Sequence, residues 1–113
     1  MMFKSDAQRA RVCQALARAA RQDALVTASG PTKAFFDEVE APSCSAGEWV
    51  LLQVAHAVWS GSRIAGPTMG LVLLVLDEKN ITLIGELLQA LGAPTDHQLE
   101  AWLSAAGFPS VAP

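Results

Sequence analysis

The chain has 113 residues, of which 51% are hydrophobic and 17% charged, and a formal net charge of −3. One domain, 1–113, is expected for that length. Its longest apolar run, Leu71 to Leu76, is far short of the ~20 residues a membrane span needs. The opening MMFKSDAQRARV has no apolar signal core, so a cytoplasmic protein is expected.

A typical domain carries about 25% charged residues. A small domain has proportionally more surface to cover, yet this one has less charge. The composition therefore implies apolar surface hidden against a partner, most simply a second copy of the chain. Charge is also uneven. Residues 1–36 carry six cations and two acids, and residues 37–113 carry two cations and nine acids.

Ser5 opens the first helix, with Gln8 at capping-box spacing. Ala, Arg and Gln carry that helix on to about Leu25. Val12, Cys13, Leu16, Ala17, Ala20 and Ala24 share one face, and Lys4, Arg11, Arg18 and Arg21 the other. The pattern is that of an amphipathic surface helix. Ser29-Gly30-Pro31 breaks the chain, with Pro31 suited to a first helical position before a short helix over 32–39 that makes Phe35 and Phe36 available to the core.

Ser45 and Glu48 form a second capping box for a third helix, which Gly61 ends. MGLVLLVLDEKN reads equally as buried helix or strand by periodicity. Leu25-Val26-Thr27 is too short a partner, and a lone strand leaves its backbone unpaired. A helix from Pro67 to about Glu78 is therefore expected. A strand at 70–77 pairing across a dimer is the alternative. Asn80 is expected to cap a helix over 81–91 that Gly92 and Pro94 stop, and Thr95 a last one. Gly107 and Phe108 read as a helix-ending turn with Phe108 folded back, and 109–113 as a frayed tail. The fold expected is an all-α, compact single-domain bundle of five to six helices, with the third and fourth central.

Polar residues on the apolar third helix are the most informative feature. At 100° per residue, Trp49, Gln53, His56 and Ser60 fall within an arc of about 60°. Such a stripe suits solvent, a dimer partner, or a ligand pocket with His56 as acid or base. His97 and Glu100 lie one turn apart, but in the reverse order of a di-iron motif, and read as a solvated pair. Asp77, beside the apolar run, reads by default as a loop-forming surface residue, with partial burial as the alternative. The glycines fit no phosphate loop, and no Gly-x-Ser-x-Gly elbow occurs. Cys13 and Cys44 match no disulfide or metal framework. Cys13 reads as a small core residue, Cys44 as a loop residue.

No catalytic constellation, metal set or cofactor motif is thus read. The leading expectation is a protein that acts by protein–protein contact as a homodimer, with Trp49, Gln53, His56 and Trp59 at the interface. A second is a regulator touching nucleic acid through Arg11, Arg18 and Arg21, although the chain is acidic overall. A third is a ligand or enzymatic pocket around His56, with Asp77 near it.

Overall fold

A computed structural model describes residues 3–61 and 75–110. The protein is an all-α small bundle with one short two-stranded hairpin. Five helices are described: α1 (Asp6–Ala19), α2 (Lys33–Glu40), α3 (Ala46–Ser60), α4 (Glu78–Gly92) and α5 (His97–Ala105). A 3₁₀ turn (Asp23–Leu25) and strands β1 (Val26–Thr27) and β2 (Gly30–Pro31) lie between α1 and α2. The preference for helix over strand across 67–74 falls outside the described residues. Just beyond that stretch, Leu76 is buried and Asp77 is the exposed cap of α4.

Several local expectations hold for local reasons. Ser5 Oγ accepts from Gln8 N–H at 3.1 Å, which satisfies one orphan donor of the first turn. The Gln8 side chain departs from the expected box. Its Oε1 accepts from the Lys4 N–H at 2.7 Å, one residue before the cap. Ser45 and Glu48 form the full reciprocal box, and Gly61 closes α3 in the left-handed conformation at φ 62°. At the end of α5, Phe108 N–H donates to Leu103 C=O at 2.8 Å and Gly107 N–H to Ser104 C=O at 3.1 Å, the paired bonds of a Schellman turn.

Other boundaries shift. Expected to run to Leu25, α1 instead stops at Ala19, because Arg21 takes φ 60° and closes its own Schellman turn. There Gln22 N–H donates to Ala17 C=O at 2.8 Å and Arg21 N–H to Arg18 C=O at 2.9 Å. A glycine is the usual occupant of that position, since a Cβ in left-handed geometry costs ~1 kcal/mol. Arg21→Gly is therefore expected to stabilise the protein by about 0.5–1 kcal/mol, read as a raised urea midpoint with unchanged slope.

The chain freed by that early stop forms the hairpin. Val26 pairs with Pro31 and Thr27 with Gly30, so Val26-Thr27 does find a partner, within its own chain. Pro31 thus sits in a strand and not at a first helical position. Thr32 caps α2, its Oγ1 accepting from Phe35 N–H and donating to Leu25 C=O at 2.9 Å. Asp77, not Asn80, caps α4, and Asp77 Oδ1 accepts from Asn80 N–H at 2.9 Å. Thr95 caps nothing, since α5 starts after Asp96, which makes no side-chain capping bond.

Far from a surface helix, α1 is central. Ala10, Val12, Cys13, Leu16, Ala17 and Ala20 are wholly buried. The small side chains let α1 approach α3 closely, so that Cys13 Sγ donates to Ala55 C=O at 3.4 Å. Leu51, Leu52, Phe35, Leu87 and Leu103 complete the same core. Small residues that read as a thin stripe in sequence thus mark a close helix–helix contact at the centre of the fold.

Candidate functional site

Trp49 and His56 of the polar stripe on α3 meet α2. Trp49 is half-buried, and its indole N–H donates to the Val39 carbonyl at 2.9 Å. That bond gives the free carbonyl near the end of α2 a partner. His56 sits edge-on to two rings of α2, 6.2 Å from Phe35 and 5.6 Å from Phe36, centroid to centroid. Phe35 is fully buried, while Phe36 is 40% exposed. Gln53 is half-buried between these two positions on the helix. Trp59 is also half-buried, its ring lying over Gly30 of the hairpin, and its carbonyl accepts from Arg9 Nη1 at 3.2 Å. The four residues singled out on α3 therefore line one partly open face beside α2 and the hairpin. Phe36, expected with Phe35 to be available to the core, is instead the large apolar group that protrudes from it. Its signal was a pair of adjacent phenylalanines on an eight-residue helix, of which only one can face inward.

The basic side chains do not form a shared face. The Arg11 guanidinium makes a bidentate pair with Glu100, with both N···O distances 3.0 Å, and donates to the Phe108 carbonyl at 3.3 Å. Arg18 lies over the Phe108 ring at 4.3 Å and reaches Asp23 at 3.6 Å, a cation–π contact reinforced by an ion pair. Arg21 is exposed at the strained turn.

Glu100, read as a solvated partner of His97, is instead half-buried and joined to α1. Gln8 Nε2 donates to its Oε2 at 2.7 Å. The hydrogen bonds from Arg11 hold the Glu100 carboxyl below its usual range, with those from Gln8 and the charge of Lys4 acting in the same direction, against its partial burial. Gln8 itself is 1% exposed, the one buried polar residue in the core among the described residues. Helical spacing puts Gln8 between Val12 of the apolar face and Lys4 and Arg11 of the polar one, so its burial comes from the packing of α5 on α1.

Neither cysteine is poised as a nucleophile. Burial pushes the Cys13 thiol up to about 12, away from the reactive thiolate. Cys44 is raised too, first by burial and then by the charge of Glu38. The Glu38 carboxylate accepts from the Ser43 and Cys44 N–H groups and from Ser43 Oγ, which ties the α2–α3 loop and lowers its pKa. Among the described residues, no group of three or more His, Cys, Asp or Glu is placed to hold a metal. Nor is any helix there long and apolar enough to cross a membrane.

Among the described residues, a groove of about 990 Å³ lies elsewhere, between α1 and α3 on one bank and α4 and α5 on the other. Arg18, Arg21 and Lys79 on its walls are matched by Glu48, Asp77 and Glu86, and Leu51, Leu76 and Leu83 supply apolar surface. Asp77 lines this groove. His56 is beside α2 and is not among the described lining residues, so the two members of the expected pocket are not brought together. Leu88 on α4 is the other large apolar side chain left open, at 50% exposure.

The protein is thus a small all-α bundle in which aromatic side chains of α2 and α3 form one partly open face. Comparisons with family models, with curated proteins and with solved structures found no match.

Proposed function

We propose that this protein acts by protein–protein contact in the cytoplasm, without catalysis, as a homodimer joined through the α2–α3 face. The observation that carries the reading is Phe36, 40% exposed with its ring edge-on to half-buried His56. A protruding aromatic beside Trp49, His56 and Trp59 suits an interface, where aromatic anchors are enriched, with the exposed Lys33–Asp37 pair and Glu40 of α2 at its rim. Trp49, Gln53, His56 and Trp59 form the remainder of that face. The low charge content of the chain supports the same conclusion. The nucleic-acid reading has no comparable support, since Arg11 and Arg18 are engaged within the chain.

The test is solution mass by light scattering on wild type and Phe36→Glu. Wild type is expected at twice the chain mass. The variant is expected as a folded monomer, because the exposed Phe36 ring is not part of the buried core. A wild type that stays monomeric at high concentration overturns the proposal. Trp49→Ala is a poorer probe, since it also breaks the bond to Val39.

A further inference from the structure

Two pairs of helices face each other across the groove, and each pair is internally coherent. In the first bank, α1 and α3 pack closely around Cys13 and Ala55. In the second, Trp102 Nε1 donates to the Leu83 carbonyl at 3.0 Å, and Ile84, Leu87, Leu99 and Trp102 are buried. Between the banks the joints differ in kind. The outer contacts of α1 with α5 and the residues flanking it are made by polar and charged groups on or just before α1. Among the described residues they are Gln8 and Arg11 on Glu100, Arg11 on the Phe108 carbonyl, Lys4 on Asp96 at 3.8 Å, and Arg18 over the Phe108 ring.

We propose that α4 and α5 open together as one unit, along a seam with α1 and α3 that the Arg11–Glu100 pair latches. Opening widens the groove and bares its apolar walls at Leu51, Leu76 and Leu83. The half-buried Arg11–Glu100 pair closes the outer side of the seam, which is where an opening starts, while the apolar contacts behind it make full separation costly. Opening takes Leu99 and Leu103 of α5 out of the common core, so the open form is a minor state. This inference stands apart from self-association, which uses α2 and α3.

Native-state hydrogen exchange at low denaturant tests it, on wild type, Glu100→Gln and Arg11→Met. The expected result is that amides of α4 and α5 share one opening reaction, separate from α1 and α3. Either substitution is expected to speed that reaction by about tenfold or more while α1 and α3 keep their rates. Equal acceleration in all helices signals a single global unfolding and overturns the proposal. Unchanged exchange in α5 in both variants overturns it as well.

Discussion

Gly30→Ala is expected to destabilise the protein by about 3 kcal/mol, because two independent penalties meet at one residue. Gly30 has φ +122°, a region that L side chains rarely adopt, which costs ~1–3 kcal/mol in strain. A Cβ there would stand 2.6 Å from Cη2 and 2.8 Å from Cζ2 of Trp59. Those are ring atoms, so relief requires the whole half-buried indole to shift and with it the end of α3. Urea unfolding measures the loss directly, and a midpoint within error of wild type would refute the close approach. A double variant that adds Trp59→Leu to Gly30→Ala separates the two penalties. Removing the ring relieves the clash and leaves the backbone strain. Trp59→Leu should therefore cost less in the Gly30→Ala background than in wild type.

Glu100→Ala is expected to cost about 2–3 kcal/mol. The Arg11 and Glu100 side chains retain only 19% and 24% exposure, so the pair is screened far less than a surface ion pair. Truncation leaves the Arg11 guanidinium half-buried without its bidentate partner, and Gln8 Nε2 buried without an acceptor. Unsatisfied groups of that kind, more than the lost attraction, set the size of the effect. The acid dependence follows from the lowered folded pKa. The pair contributes in full at pH values above the ordinary carboxyl value of 4.5, and that contribution is lost as pH falls through the lower folded value. Below both values it is absent. Stability of wild type should therefore fall more steeply below about pH 4.5 than that of Glu100→Gln. Glu38 titrates in the same window, so the difference between the two proteins, not the wild-type curve alone, reports Glu100. Parallel curves would show that Arg11 and Glu100 are not joined in solution.

Helical class and most helix ends were legible in the chain itself, because those signals act over a few residues. Ser45 and Glu48 sit three apart and need only a helix between them to meet. Gly107 and Phe108 likewise complete a turn with carbonyls a few residues back. The burial of Cys13 was legible from the 3.6-residue period alone. Packing settled the rest. Arg21 has no intrinsic preference for φ 60°; the turn is held because the hairpin must pack against α1. The polar stripe on α3 was visible as a stripe, but helical spacing gives its direction without naming what lies opposite. Trp49 meets a carbonyl ten residues away, and Glu100 meets Arg11 across 89 residues of chain. A charged pair of that separation has no local signature. The same Glu100 on a helix turned by a third of a revolution would be the solvated residue that its neighbours suggest, and only the packing of α5 on α1 makes it a latch.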